Sequence, residues 1–174
     1  MKIDWIEPGV IAASGVPLGV KDLRSLHEQG IRAIVTLTEH PLTTQAQITE
    51  RVLDEIGLIC LHAPVVDQHP PDVATVWEMM QFVNQMKAQG RPILFHCQAG
   101  VGRTGTMLHA YYLAEGKSLT EAKAQVKARK LSSQFFMLSD TQKAFLQELA
   151  EAAPASTSKT RKERNAQRLI ERSL

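Results

Sequence analysis

A thiol and a guanidinium lie six residues apart in the stretch HCQAGVGRTG, which covers residues 96–105. The thiol belongs to Cys97 and the guanidinium to Arg103. Between them lie Gly100 and Gly102, whose backbone freedom allows successive amide N–H groups to turn inward around an anion. An arginine fork can hold two oxygens of a phosphate, and a thiolate beneath that phosphate would be a nucleophile. The stretch therefore predicts covalent chemistry on a phosphate ester.

The elements that must position this stretch are a strand before it and a helix after it. PILF, at residues 92–95, is wholly apolar, as in strands buried on both faces of a sheet, and we expect a helix from Thr104 to Glu115. The loop then lies at the carboxyl edge of a sheet and at a helix N-terminus, where free N–H groups favour a phosphate and a thiolate. We expect Thr104 to hydrogen-bond the sulfur and His96 to order the loop through the backbone. The predicted phosphate-binding residues are Gln98, Ala99, Gly100, Val101, Gly102 and Arg103.

Asp67 is the predicted proton donor for the leaving alkoxide or phenolate, which must be protonated as it departs. It ends the predicted strand LICLHAPVV, so it lies at the same edge of the sheet, and the prolines that follow stiffen its loop. After the first step, its carboxylate would activate the water that hydrolyses a phosphocysteine. Asp72 is the alternative acid, but its position just before an amphipathic helix favours a role as an N-cap.

Strand and helix signals alternate along the chain, which predicts an α/β fold with a central, mostly parallel sheet flanked by helices. The segments IRAIVTL, LICLHAPVV and PILFHC are typical of strands, and WIEPGVIAAS is typical of a short strand pair broken by Pro8 and Gly9. Helices are expected over KDLRSLHEQG, TTQAQITERVLDEIG, residues 73–89, SLTEAKAQVKARK and SDTQKAFLQELAEAA.

Length and charge distribution predict one domain over residues 1–153 and a flexible, basic C-terminal tail over residues 154–174. The tail carries six Lys/Arg and two Glu in a chain with a net charge of +2, so the rest of the chain is slightly acidic. We therefore do not expect the domain to bind nucleic acid. The tail could contact an unidentified partner or a membrane surface. No apolar run approaches the roughly 18 residues of a membrane span.

The two cysteines of the chain are too few for a disulfide framework, so we expect a reducing, cytoplasmic location. Cys60 lies in a predicted core strand, which favours a buried structural thiol, with a redox partner for Cys97 as the alternative. Glu39 follows the strand IVTL at the edge where the site is expected. A solvated loop carboxylate is favoured there, and a contact with Arg103 or with water is the alternative.

The stretch HCQAGVGRTG resembles the H-C-x5-R-[S/T]-G signature of cysteine-dependent protein tyrosine phosphatases, and DQHPP resembles the acid loop of their dual-specificity members. The similarity extends over most of residues 5–150, including WIEPG, IVTLTE and GRTGTMLHAYYL, and is closest to small atypical dual-specificity phosphatases. The resemblance implies their fold, a catalytic domain over residues 1–153, and hydrolysis of phosphomonoesters through a phosphocysteine with no metal or other cofactor. In many relatives a later loop supplies an Asn or Gln to the site, and Gln134 is a loose match.

The substrate is predicted from the variable positions of the signature, which are Gln98, Ala99 and Val101. All three are uncharged, which argues against highly anionic lipid head groups and RNA 5′-triphosphates. We therefore expect phosphotyrosine in proteins, with weaker activity on phosphoserine and phosphothreonine. The alternatives are a phosphoinositide or RNA 5′-phosphate phosphatase of the same fold, a noncatalytic phosphate-binding module, and a sulfurtransferase of the rhodanese kind.

Overall fold

Five short strands form a mixed sheet at the centre of the fold, in a computed structural model that describes residues 1–152. The strands are β1 (Asp4–Glu7), β2 (Ile11–Ser14), β3 (Ala33–Thr36), β4 (Ile59–His62) and β5 (Ile93–His96). Their spatial order is β1-β2-β5-β3-β4. The first two form an antiparallel hairpin, and all other neighbours run parallel. The predicted mostly parallel sheet is therefore confirmed.

Helices cover both faces of this sheet, as the alternation of elements predicts. They are α1 (Val20–Glu28), α2 (Glu50–Ile56), α3 (Val73–Ala88), α4 (Gly102–Ala114), α5 (Leu119–Arg129) and α6 (Asp140–Ala152). Short 3-10 turns lie at Leu42–Thr44, Leu131–Ser133 and Phe135–Met137. The first two helices pack on one face and the other four pack on the opposite face.

Alternate residues of the central strands enter two separate apolar cores. In β5, Leu94 packs with α1 and α2, whereas Phe95 packs with the helices on the other face. The strand β3 repeats this pattern with Ile34 and Val35, and all four side chains are fully buried. Because both faces of the sheet are covered, these strands have no polar side, which explains the wholly apolar run PILF.

Two helices begin at positions other than those expected. The helix α2 begins only at Glu50, because Thr49 caps it by accepting a hydrogen bond from the N–H of Val52. Part of the region expected to precede it as helix forms the 3-10 turn Leu42–Thr44 instead. The helix α4 begins at Gly102, two residues earlier than expected, so its N-terminus lies within the signature stretch.

The expectation that Cys60 is buried is wrong. It lies on β4, which forms one edge of the sheet, and its side chain is exposed. Its neighbours Ile59 and Leu61 are partly buried against the larger core, and successive residues of a strand face opposite sides. Cys60 therefore points to the face on which α1 and α2 pack, and it is exposed there at the edge of the sheet.

The predicted basic tail, residues 154–174, lies outside the described residues. Over residues 1–152, no helix combines the length and the apolar character that crossing a membrane requires.

Candidate active site

The parallel strands bring several chain segments to one edge of the sheet, where their carboxyl ends lie. Cys97 directly follows β5, the central strand, and is 3% exposed. Glu39 follows β3 and Asp67 follows β4. The predicted nucleophile and the predicted acid therefore lie at the edge where open α/β sheets bind their ligands.

Gly100 sets the shape of the segment after β5, residues 97–103, which we call the Cys97 loop. Its φ is 71°, a left-handed conformation that side chains with a Cβ rarely adopt. A Cβ at this position would overlap the carbonyl of Ser14 and lie 2.8 Å from the amide nitrogen of Gly15. From the other side, the hydroxyl of Ser133 donates a hydrogen bond to the carbonyl of Gly100, at 3.0 Å. Both conformation and space require glycine here.

The N-terminus of α4 supplies amide donors to the Cys97 loop. Val101 occupies the N-cap position, and no side chain of the part of the chain that the structure describes caps the helix. The first N–H groups of a helix have no partner within it and carry a partial positive charge. Gly102 is the first helical residue and has no left-handed φ, so of the two glycines it is Gly100 that adopts a conformation favouring glycine. The helix start can bind an anion without any help from a side-chain cap.

Arg103 is buried, with 4% of its surface exposed, and its guanidinium has a carboxylate partner at each terminal nitrogen. Its Nη1 donates to the carboxylate of Glu39 at 2.7 Å and to the carbonyl of Val65 at 3.1 Å. Its Nη2 lies 3.3 Å from Oδ1 of Asp67, and its Nε has no hydrogen-bond partner among the described residues. Because Nε is unpaired and the partner of Nη2 is an exposed side chain, the edge that these two nitrogens form is the one that can hold two phosphate oxygens when Asp67 turns away.

Glu39 connects Arg103 with the backbone of Asp67. From the sequence, a solvated carboxylate is favoured at this position, and a contact with Arg103 is the alternative. One carboxylate oxygen binds Arg103, and the other accepts a hydrogen bond from the backbone N–H of Asp67 at 3.0 Å. The pKa of Glu39 is lowered to about 2, because its own backbone N–H and the guanidinium of Arg103 hydrogen-bond to the carboxylate. This residue is therefore a fixed anion that orients the arginine.

The segment around Asp67, residues 66–72, which we call the Asp67 loop, is held from outside by α6. Gln68 adopts a left-handed φ of 59°. Its carbonyl accepts hydrogen bonds from the hydroxyls of Ser139, at 2.6 Å, and Thr141, at 3.1 Å. The side chain of Asp67 itself is 65% exposed. The loop backbone is thus anchored while its carboxylate stays accessible.

Asp72 caps a helix, as its position in the sequence indicates. Its Oδ1 accepts a hydrogen bond from the N–H of Thr75 at 2.6 Å, at the start of α3. Hydrogen bonds from Thr75 lower the pKa of this carboxyl group. The role as an N-cap is confirmed, so Asp67 stays the predicted acid, with an exposed carboxylate that lies against Nη2 of Arg103.

His96 makes the backbone contact that the sequence predicts and a second, shorter contact to a side chain. Its Nε2 lies 2.9 Å from the hydroxyl of Thr36 at the end of β3, whereas its Nδ1 lies 3.5 Å from the carbonyl of Cys97. Burial lowers its pKa to about 4, and the positive charge of Arg103 acts in the same direction. His96 is therefore neutral near pH 7 and ties β5 to β3 beneath the loop.

The hydroxyl of Thr104 is fully buried and has no hydrogen-bond partner among the described residues. The expected hydrogen bond to the sulfur of Cys97 is not formed in this structure. The Nε of Arg103, one residue earlier, is also buried and has no hydrogen-bond partner among the described residues. Most buried polar atoms in native proteins are paired, so two unpaired atoms at one helix start mark a place built for a polar ligand.

The glutamine that contacts the Cys97 loop is Gln142, not the expected Gln134. Within residues 1–152, the side chain of Gln134 makes no hydrogen bond. Gln142 is 1% exposed, and its amide lies within 3.7 Å of where a Cβ on Gly102 would stand. Its Oε1 accepts from the N–H of Ser139, and its Nε2 donates to the carbonyl of His69. Its sequence signal is only a polar residue in the first turn of a helix, where exposure is the usual outcome.

Comparisons with known proteins agree with this geometry. A family model described as "Polymorphic toxin system, DSP-PTPase phosphatase" matches residues 12–117. The dual specificity protein phosphatase OPG106 of vaccinia virus is 33% identical over 58 residues, which are 33% of this chain and 34% of that protein. Dual specificity protein phosphatase 12 of Rattus norvegicus is 28% identical over 120 residues, which are 68% of this chain and 33% of that protein. The chain thus spans about a third of the length of these relatives.

Solved structures share the whole fold. Tk-PTP in its active form superposes with a TM-score of 0.74 at 26% identity, covering 86% of this chain and 97% of that one. PTPMT1, in a complex with PI(5)P, gives a TM-score of 0.73 at 22% identity, covering 88% and 97%. At that identity the second likeness shows the fold alone. The fold expected from the signature is confirmed.

Proposed function

The chain belongs to the DSP-PTPase phosphatase family, and from this premise we propose that it hydrolyses phosphotyrosine in proteins, and phosphoserine and phosphothreonine more slowly. The observation that carries the proposal is the pair of unpaired buried polar atoms, Arg103 Nε and Thr104 Oγ1, at the uncapped start of α4. An anion bound there would pair the first of them and would meet the free amides of the helix.

The first step forms a covalent bond between sulfur and phosphorus. Amides of the Cys97 loop and the Nε–Nη2 edge of Arg103 hold the phosphoryl oxygens. The thiolate of Cys97, favoured by the helix N-terminus and the guanidinium, attacks phosphorus as the bond from phosphorus to the leaving oxygen breaks. Asp67 donates its proton to that oxygen, so the alcohol or phenol leaves neutral.

The second step regenerates the enzyme. The carboxylate of Asp67 now takes a proton from a water molecule, whose oxygen attacks phosphorus as the sulfur–phosphorus bond breaks. Inorganic phosphate leaves and the thiolate returns. The hydroxyl of Thr104, buried beside this loop, would stabilise the sulfur as it departs.

Protein phosphotyrosine is favoured over a phosphoinositide by charge. Gln98, Ala99 and Val101 add no cation to the Cys97 loop, and the charge of Arg103 is already shared with Glu39. Further phosphates on a lipid head group would therefore lack partners. The second candidate is nevertheless a phosphoinositide, because PTPMT1 has this fold and has been crystallised with PI(5)P. Rates on phosphotyrosine peptides, phosphoinositides and 5′-triphosphorylated RNA would rank these substrates.

We also propose that residues 1–153 form the catalytic domain and that the protein works in the cytoplasm. Both cysteines, Cys60 and Cys97, are free thiols in the structure, and a thiol nucleophile needs reducing conditions.

Cysteine substitution tests the proposal. In Cys97→Ser, we expect hydrolysis of p-nitrophenyl phosphate to fall by at least about 10⁴-fold, while vanadate still binds, because the amides and the arginine remain. The matched control is Cys60→Ser, which replaces an exposed thiol on the edge strand and should keep full activity. A rapid quench with a ³²P-labelled phosphopeptide should place the label on Cys97. Retained turnover in Cys97→Ser would remove the nucleophile from the mechanism.

A further inference from the structure

A groove of about 370 Å³ opens next to the Cys97 loop, on the side of β2 and β3. Three segments line it: residues 16–18 after β2, residues 38–45 after β3, and Gln98 in the Cys97 loop. Glu39, which orients Arg103, also contributes to its wall. The groove is therefore continuous with the proposed catalytic site, and a substrate bound by its phosphate would extend into it.

Hydrogen bonds hold the walls of the groove in place. The side-chain amide of Gln45 donates to the carbonyl of Pro17 at 2.9 Å, which ties the two outer segments together. The N–H of Val16 donates to the carbonyl of Gln98 at 3.2 Å, which ties the first segment to the Cys97 loop. A preformed groove of this kind binds a ligand without an ordering cost.

Among the described residues, the lining combines apolar and uncharged polar side chains with Glu39 and His40, and it holds no lysine or arginine. Leu18, which is 78% exposed, forms an apolar wall together with Val16 and Pro41. Glu39 is the only Asp or Glu that residues 1–152 contribute to the lining, and its low pKa keeps it charged. A second phosphate or an acidic side chain entering here would face a carboxylate and leave its own charge unpaired.

We infer that this groove binds the residue that flanks the phosphorylated side chain of a protein substrate, and that it selects an apolar residue over an acidic one. The inference rests on the proposed function and deepens it. Its volume lies at the lower end of ligand sites, which suits one or two side chains of an extended peptide and not a bulky head group. Leu18 is the specificity-determining contact, because its side chain is apolar, exposed and free of any catalytic role.

The test uses pairs of phosphotyrosine peptides. Within a pair, one peptide carries leucine and the other carries glutamate at the same position, either directly before or directly after the phosphotyrosine. For the wild-type chain, we expect kcat/KM to be about tenfold higher for the best leucine peptide than for its glutamate counterpart. In Leu18→Lys this preference should disappear, since the apolar contact is lost and a cation now faces the flanking residue. Leu131→Lys is the matched control, because it puts the same charge on an equally exposed leucine away from the groove and should keep the preference.

Hydrolysis of p-nitrophenyl phosphate separates a failure of the groove inference from a failure of the proposed function, because this small ester has no flanking residue to place against Leu18. Both variants should match the wild type on it. Equal rates on leucine and glutamate peptides, or an unchanged preference in Leu18→Lys, would overturn the groove inference while the phosphatase function stands. Faster hydrolysis of phosphoinositide vesicles than of any peptide would also overturn it. Absence of turnover on every ester would instead refute the proposed function and the inference with it.

Discussion

The Cys97 loop and the Asp67 loop carry the two halves of the proposed chemistry, but they are held in opposite ways. The Cys97 loop has Cys97, Gly100 and Arg103 buried and is fixed by close packing, because Gly100 lies against the backbone of Ser14. The Asp67 loop exposes its functional carboxylate and is anchored by hydrogen bonds from α6 to its backbone. Binding of an anion needs donors that are already in place, whereas proton transfer needs a group that can follow the leaving oxygen.

Replacing Asp67 should impair proton transfer and leave anion binding by the Cys97 loop intact. We expect Asp67→Asn to lower kcat on a phosphotyrosine peptide by about 10²–10⁴-fold, because asparagine cannot donate the proton. The loss on p-nitrophenyl phosphate should be smaller, since that leaving group needs less help, and the alkaline limb of the pH–rate profile should flatten. Steady-state rates across pH provide the measurement.

Asp72→Asn is the control for this change. It alters the other aspartate of the same loop, and asparagine caps a helix about as well as aspartate. Activity and stability should both stay near wild type. A flattened alkaline limb in Asp72→Asn instead would move the acid role to that residue.

Adding a Cβ to the Cys97 loop should impair both anion binding and catalysis. In Gly100→Ala, the new Cβ would overlap Ser14 and would demand a left-handed φ, so the Cys97 loop has to move. We expect activity to fall by about 10²-fold or more, and the free energy of unfolding to drop by about 1–3 kcal/mol. Vanadate affinity should fall as well, which distinguishes this variant from Asp67→Asn.

Gly116→Ala separates strain from crowding. Gly116 also has a left-handed φ, of 84°, but a Cβ there would meet nothing within 4 Å. This control should cost about 1 kcal/mol of stability and leave activity unchanged. Similar activity in both variants would mean that the contact between Gly100 and Ser14 does not shape the site.

Glu39 connects the two loops, so its substitution sharpens the comparison. In Glu39→Gln, we expect kcat/KM to fall about tenfold, since Arg103 loses an ion pair but keeps its burial and its other partners. The folded-state pKa of about 2 lies below the ordinary 4.5, so the carboxylate stabilises the fold above pH 4.5. That contribution is lost as the pH falls from 4.5 towards 2.

Urea unfolding of wild type and Glu39→Gln across this pH range checks the assignment. The difference in free energy of unfolding between the two should be largest above pH 4.5 and should shrink below it. A difference that does not change with pH would mean that the charge of Glu39 is not what stabilises the site.

The sequence predicts those parts of the molecule that depend on local order along the chain. Cys97, Arg103 and the helix after them form one continuous motif, and Asp72 precedes its helix directly. Glu39 was harder to assign, because its partner Arg103 lies 64 residues away and is brought near only by the pairing of β3 with β5. The exposure of Cys60 likewise depends on the position of β4 at the edge of the sheet, and the order of strands in space cannot be read from their order in the sequence.

Gln134 and Gln142 show the same limit at the site itself. Both follow α5 by short distances, and the intervening 3-10 turns decide which one faces the Cys97 loop. Such turns are short, and they carry little signal in the sequence.

The strand order β5-β3-β4 fixes the spacing between the residues of the proposed site. Cys97 follows the first of these strands, Glu39 the second and Asp67 the third. Neighbouring strands are spaced about 4.8 Å apart, so nucleophile and acid start from strand ends about 10 Å from each other, with the arginine's partner midway. If these three loops were moved to a sheet with another strand order, every residue would be kept. The spacing that allows one ester bond to contact both the thiol of Cys97 and the carboxylate of Asp67 would be lost.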